Sequence, residues 1–274
     1  SAGVKISKEF APIFTNNGCF VIDNSSAWRM DKNTPLIVPE VNSHELKKNK
    51  KLIANPNCST IQMVVVLKPL HDFAKIKRII VSTYQAVSGA GQKAINELKN
   101  QIENWSISKT NTELLKNKGK LFYYPIAFNL IPQIDLFTDN GYTKEEMKMT
   151  NETKKIIGDN SIEVSATCVR VPVFRSHSES VWIETEKPIN PEKAKEILSN
   201  ANGVSLFDEP SKQKYPMPLF AENTQVTYVG RIRKDISTVN NNALTFWIVS
   251  DNLLKGAALN AVQIAETIIE SKFL

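Results

Sequence analysis

"KKLIANPNCSTIQM", residues 50–63, is the stretch on which the fold turns. Its first half is a short apolar strand that runs into an Asn-Pro-Asn turn. From Cys58 onward Ile61, Val64, Val65 and Leu70 recur with helical spacing, and Pro56 just ahead suits the entry to a helix. The turn therefore delivers a cysteine to a helix start, where the positive end of the dipole and free backbone N–H groups favour a thiolate and offer a cradle for an oxyanion or a phosphate. Taken alone, a cysteine in such a place is more often buried apolar filler than a nucleophile. Its neighbours have to decide.

Upstream, "GCFVIDNSS" (18–26) has the pattern of a buried parallel strand that hands a loop carrying Trp28 and Arg29 to its carboxyl end. "PLIVPEVNSHEL" (35–46) reads as a second strand followed by a helix capped by Asn42 or Ser43. With "KKLIANPN" as a third strand, short strands separated by loops or helices imply a doubly wound sheet. The chain starts at Ser1 without a methionine and runs at once into strand and turn patterns, so a further N-terminal portion is expected.

Downstream, residues 75–105 read as a strand to Tyr84, a glycine-rich turn, and a helix with Ala94, Ile95, Leu98, Ile102 and Trp105 on one face. Residues 106–142, with "YYPIAFNLIPQID" at 123–135, carry too many large apolar groups for a linker and are expected to form a long ordered loop at an interface. Thr143 and Glu146 stand at capping-box spacing and Gly158 closes the same segment, which marks both ends of a helix. "SIEVSATCVRVPV" and "SHSESVWIETE" alternate as two strands joined by a hairpin bend. Residues 224–235 and 242–251 add two more, and residues 251–273 form a long amphipathic helix behind an Asp251 cap. The clustering of strands in the second half predicts a largely antiparallel sheet with helices on one face.

Composition narrows the function classes. No apolar window reaches the roughly 18 residues of a membrane span, and no leader pattern is present, so a cytoplasmic protein is expected. Cys19, Cys58 and Cys168 are odd in number and lack C-x-x-C spacing, which argues against a disulfide framework and a structural zinc site; no metal is expected. Cys19 and Cys168 lie inside strand patterns and read as core. The net charge of +6 comes from lysines spread over surface-like helices, which fits a solvated surface or a small anionic substrate better than nucleic acid.

A nucleophilic thiol needs a proton shuttle, and the candidates are His44, His71 and His177. His44 opens a polar, lysine-rich segment; His71 ends the Cys58 helix, about 20 Å away at 1.5 Å per residue. Both read as surface residues. His177 follows Arg170 across the expected hairpin. Arg29, Arg170, Lys148 and Glu145 sit where loops, strand ends and helix starts place them, and a guanidinium is the usual partner of a carboxylate or phosphate. Singly each reads equally as a solvated charge, and Glu145 with Lys148 as an intrahelical ion pair.

Together, "IDNSSAWRM", "VPEVN", "ANPNCST", "STYQAVSGAG", "ATCVRVPV" followed by "SHSES", and "DNLLKGAA" resemble bacterial aspartate-semialdehyde dehydrogenase, in that family's order and over essentially the whole chain. The resemblance implies an α/β fold. Residues 1–57 and 252–274 would be the remaining part of an NADP-binding Rossmann-like domain, and 58–251 a catalytic and dimerisation domain of the glyceraldehyde-3-phosphate-dehydrogenase-like type. It implies NADPH-dependent reductive dephosphorylation of L-aspartyl 4-phosphate to the semialdehyde, a step toward lysine, methionine and threonine, in a homodimer. By match Cys58 would be the nucleophile, His177 the acid/base and Gln85 the residue orienting the acyl group. Arg170 would take the substrate carboxylate and Glu145 its ammonium; Arg29, Asn57 and Lys148 would hold phosphate; Ser88, Gly89 and Asn252 would meet the nicotinamide. Glu146 fits the capping box better than a ligand role. The family's glycine-rich pyrophosphate loop is expected ahead of Ser1, since no G-x-x-G-x-x-G occurs here, and "SAG" looks like the end of a later strand of that domain. Three other readings stand beside this one: a non-catalytic dimerising remnant, an N-acetyl-glutamyl-phosphate reductase, and a Cys/His hydrolase or acyltransferase without redox chemistry.

Overall fold

The computed structural model describes residues 3–108, 119, 121–238 and 242–273. Two sheets organise it. The smaller pairs β1 (Val21–Asp23) with β2 (Leu52–Ala54) in parallel, Val21 opposite Leu52 and Asp23 opposite Ala54. Ahead of it lies α1 (Val4–Asn16), entered at Gly3 with φ +90°. Ser1 and Ala2 of the expected strand end lie outside the described residues; Gly3 is the N-cap of α1, so a helix and not strand and turn patterns follows from Val4. Val4 and Ile6 alternate like a strand, but Phe10, Ile13 and Phe14 follow at helical spacing and the longer period wins.

The second expected strand is reduced to a single bridge, Leu36 with Ala54. Pro39 ends it, because proline brings no N–H to a ladder and instead opens the short helix α2 (Pro39–Asn42). Asn42 does not cap a following helix. Its side chain turns back, accepting from Val38 N–H at 2.9 Å and donating to the Leu36 carbonyl at 2.9 Å.

The larger sheet has the order β4-β3-β5-β8-β7-β6, with β3 Ile76–Gln85, β4 Glu163–Arg170, β5 His177–Thr185, β6 Val204–Leu206, β7 Thr227–Lys234 and β8 Ala243–Ser250. The central pairings β3/β5, β5/β8 and β8/β7 are antiparallel, and the outer ones, β3/β4 and β7/β6, are parallel. The expected hairpin between residues 161–173 and 176–186 does not form: β3 lies between β4 and β5, and the connection crosses its end. The consequence is functional. Gln85 pairs with Arg170 on one side, and the Tyr84–Ser178 pair on the other brings His177 alongside. Three site candidates thus meet at one end of three adjacent strands.

Helix α3 (Cys58–Ala74) packs on this sheet and is apolar nearly all round, with Ile61, Met63, Val64, Val66, Leu67 and Leu70 without exposure, as a helix enclosed on all sides must be. His71, expected at the surface, is buried in its last turn. Its Nδ1 accepts from Ile76 N–H at 3.2 Å, so it closes the turn into β3. Helix α4 (Gln92–Ser108) extends two residues past the start of the expected loop; residues 109–118 and 120 of that loop lie outside the described residues, and 121–142 are irregular but for isolated bridges. Helix α6 (Pro191–Ser199), which the sequence reading did not separate, packs on α3 and β6. After Asp251, whose Oδ1 accepts from Leu253 and Leu254 N–H, the chain makes a π turn (Leu254–Ala258) before α7 (Leu259–Glu270), so the last helix is not uniformly α. No helix among the described residues is long and apolar enough to cross a membrane.

Helix α5 (Lys144–Ile157) carries Glu145 and is anchored at both ends as expected. Thr143 Oγ1 accepts from Glu146 N–H, the Glu146 carboxylate accepts from Thr143 N–H at 2.6 Å, and Gly158 ends the helix in the left-handed region. The second oxygen of Glu146 accepts from Cys168 N–H at 2.9 Å and ties the helix to β4. Thr143→Ala is expected to lower stability by about 1 kcal/mol, the usual value of an N-cap, and Thr143→Ser to keep most of it. Urea unfolding of the two variants checks this.

Candidate active site

The cleft above the row of strand ends has a volume of about 470 Å³ and is lined by Arg29, Asn57, Cys58, Gln85, Ser88, Gly89, Glu145, Lys148, Arg170 and Asn252, among others. Every site residue named from the sequence lines it except His177, which is fully buried behind it.

Asn57 sets the floor. It is the N-cap of α3, its Oδ1 accepting from Ser59 N–H at 3.0 Å and Thr60 N–H at 3.2 Å, which fixes Cys58 as the first helical residue. Its Nδ2 donates to Glu145 Oε1 at 2.8 Å and its backbone N–H to Glu152 Oε2 at 2.7 Å. Glu145 also accepts from Gln85 Nε2 at 3.3 Å and from Lys148 Nζ at 3.1 Å, while Lys148 reaches Asp135 at 2.8 Å. The two carboxylates outweigh burial and raise the Lys148 pKa, so it stays a cation.

Cys58 is half-buried, and its chemistry departs from the expected thiolate. Burial, then the Glu145 carboxylate, push the thiol up to about 12, against the opposing pull of Arg170 and Arg29. The helix start is not enough to ionise it against burial and the neighbouring carboxylate. Close packing holds the thiol in place: a Cβ on Gly256 would lie 2.9 Å from Cβ of Cys58, so the π turn approaches there only because residue 256 is glycine.

His177 Nδ1 accepts from Ala86 N–H at 3.0 Å, and burial followed by the Arg170 charge holds its pKa well below the ordinary histidine value. The neutral ring then carries its proton on Nε2, which has no partner. A Cβ on Gly89 would meet that Nε2 at 3.1 Å and Nη1 of Arg170 at 2.9 Å, so glycine leaves room where both groups approach the cleft. Arg170 donates Nη1–H to the Ala86 carbonyl at 2.7 Å, and its Nε is buried without a partner. Arg29 is held by the Ser25 and Asn24 carbonyls at 3.1 Å each and by Glu152 at 3.2 Å. Asn252 Oδ1 accepts from Ser88 Oγ at 3.1 Å and Ser176 N–H at 2.9 Å, which joins these residues into one wall.

Sequence reasoning missed Glu152, Asp135 and Gly256. Glu152 stands seven residues after Glu145, two turns along the same helix face, a spacing that puts both on Asn57. Asp135 and Gly256 carried no such signal, since only the folded loop and the π turn bring them in. Among the described residues no group of histidine, cysteine and acidic side chains is placed to hold a metal ion.

Because the resting thiol is protonated, alkylation of Cys58 by iodoacetamide should rise about tenfold per pH unit between about pH 7 and 10 without levelling off. Mass spectrometry of the Cys58 peptide, with exposed Cys19 as the internal reference, tests this. A plateau near pH 8 would contradict it.

Comparison with known proteins agrees with this geometry. The family profile "Semialdehyde dehydrogenase, dimerisation domain" matches residues 67–255, and "Semialdehyde dehydrogenase, NAD binding domain" matches residues 1–49. The chain is 57% identical over 272 residues to aspartate-semialdehyde dehydrogenase of Aquifex aeolicus, covering 98% of this chain and 78% of that protein. It is 53% identical over 270 residues to the enzyme of that name from Bacillus subtilis, again covering 98% and 78%. The crystal structure of aspartate semialdehyde dehydrogenase II from Vibrio cholerae complexed with ASA superposes with a TM-score of 0.90 at 47% identity, over 98% of this chain and 78% of that one. The chain belongs to the aspartate-semialdehyde dehydrogenase family.

Proposed function

We propose that the chain catalyses the reversible, NADPH-dependent reductive dephosphorylation of L-aspartyl 4-phosphate to L-aspartate 4-semialdehyde through a thioester on Cys58, as a cytoplasmic homodimer serving lysine, methionine and threonine formation. The observation that carries this reading is a cysteine at a capped helix start in one cleft with Arg170, whose Nε is buried without a partner, and with the unpartnered Nε2–H of His177 buried behind that cleft. A buried donor without an acceptor is costly unless a ligand supplies one.

In this scheme Arg170 receives the substrate α-carboxylate on Nε and its outer N–H groups, and Glu145 receives the ammonium. Arg29, Lys148 and Asn57 hold the phosphate, while Gln85 steadies the acyl group. Cys58 sulfur attacks the acyl carbon, the carbon–oxygen bond to phosphate breaks, and the thiol proton ends on the departing phosphate. That transfer answers the high pKa of the resting thiol, because no free thiolate has to accumulate before attack. His177 directs Nε2–H to the oxyanion. When bound, NADPH supplies the hydride that reduces the thioester carbonyl. The sulfur then leaves as the carbon–sulfur bond breaks, and His177 is the proton donor the chain offers it.

In this reading the wall of Ser88, Gly89 and Asn252 receives the nicotinamide end of the cofactor. Gly89 lines the cleft beside Ser88, and Asn252, its Oδ1 already engaged, keeps its amide N–H groups for a carboxamide. The NAD-binding profile over residues 1–49 supports the dinucleotide, and the dimerisation profile supports the dimer.

Phosphate-dependent reduction of NADP with aspartate semialdehyde tests the reading. A rate is expected that vanishes in Cys58→Ala, and Arg170→Lys should raise KM for the semialdehyde about tenfold by losing a bidentate contact. A folded chain with no rate, or an alanine variant as active as the parent, would contradict it and favour a non-catalytic dimerising protein.

A further inference from the structure

Glu152 is buried beside the cleft but does not line it. Its carboxylate has two jobs at once. Oε1 accepts from Arg29 Nη1 at 3.2 Å, with the two side chains 1% and 10% exposed, and Oε2 accepts from the backbone N–H of Asn57 at 2.7 Å. Arg29 is gripped on its other nitrogens by the Ser25 and Asn24 carbonyls, so the glutamate closes a cage that leaves the guanidinium one orientation. Asn57 in turn is the cap of the helix that starts with the nucleophile candidate.

We infer that Glu152 is a positioning residue of the anion subsite: one buried carboxylate registers the arginine that takes the phosphate against the helix start that carries the thiol. The inference rests on the phosphate reading of Arg29 given above.

The chemistry of the group makes this specific. A carboxylate offers acceptors on both oxygens and meets two donors, a guanidinium N–H and a peptide N–H. Glutamine has the same shape but one acceptor oxygen, so its amide NH₂ must face a donor on one side. Either Arg29 or Asn57 is then released. Removing one partner of a buried charged pair also leaves the other uncompensated. Burial raises the Glu152 pKa against the opposing pull of Arg29 and the Asn57 N–H; the geometry is what assigns both oxygens as acceptors, since each faces an N–H donor. Sheer packing would make no distinction between glutamate and glutamine.

The test uses the whole chain and inorganic phosphate as probe. Phosphate affinity is read from protection of Cys58 against iodoacetamide, and the Asn57 N–H from hydrogen exchange by NMR. Glu152→Gln is expected to weaken phosphate at least about tenfold, the worth of one charge-assisted hydrogen bond, and to speed exchange at Asn57. Glu152→Asp, which keeps the charge, should recover part of both. In an Arg29→Ala background the change at residue 152 should have a much smaller effect on phosphate, because only its hold on Asn57 is left to lose. Wild-type phosphate affinity in Glu152→Gln, or equal losses in the glutamine and aspartate variants, overturns the inference. Should glutamine prevent folding, the aspartate variant in the two backgrounds decides: additive losses overturn the inference and non-additive ones support it. If wild type and Arg29→Ala protect equally, the phosphate reading of Arg29 has failed instead, and the inference falls with it, whereas unchanged Asn57 exchange in Glu152→Gln refutes the carboxylate contact independently of phosphate.

Discussion

Asn57 is the residue on which the arrangement depends. Its side-chain oxygen caps α3, its side-chain nitrogen holds Glu145, and its backbone N–H holds Glu152. A cap contributes about 1 kcal/mol and a hydrogen bond to a charged group about 1.5–3 kcal/mol, so this one side chain and its peptide carry several kcal/mol of local order. That order is directional. It joins the turn after β2 to one face of α5, and so joins the smaller sheet to the helix lying over the larger one.

From this joint the electrostatics of the cleft follow. Of two glutamates on one helix face, Glu145 acts on the thiol and Glu152 holds the Asn57 N–H, while the cations Arg29, Lys148 and Arg170 line the same cleft. Burial first and the Glu145 charge second explain why the start of α3 does not leave a thiolate. The cations remain available. Each is tethered by part of its hydrogen-bonding capacity, and Arg170 keeps a buried nitrogen with no partner. The same burial keeps His177 neutral and its proton on the side away from Ala86.

Much of this was legible in the sequence where the signal is local. The helix entered at Cys58, the capping box at Thr143 and Glu146, the Glu145–Lys148 pair and the strands at 76–85, 227–234 and 243–250 follow from spacing within a few residues. The motifs also placed Cys58, Gln85, Arg170 and Asn252 among the candidates that meet in one cleft. What stayed hidden is non-local or contradicts a short pattern. The insertion of β3 between β4 and β5 cannot be read from two alternating runs with a short join, although it is what sets Gln85 beside Arg170. Helix α1 stands where strand and turn patterns were expected. His71 reads as a surface residue until the turn into β3 folds over it. The need for glycine at 256 exists only because a π turn passes Cys58. Glu152 was within reach of a heptad argument, yet nothing in the sequence said that Asn57 would lie between it and Glu145.

The central claim is that Cys58 is the nucleophile and becomes acylated by the phosphorylated substrate. It is tested most directly by incubating the chain with L-aspartyl 4-phosphate in the absence of NADPH and examining the Cys58 peptide by mass spectrometry. The account predicts an aspartyl adduct on Cys58 that hydroxylamine removes, with Cys19 and Cys168 unmodified. An adduct on another residue, or none on a folded chain that still binds phosphate, would contradict it.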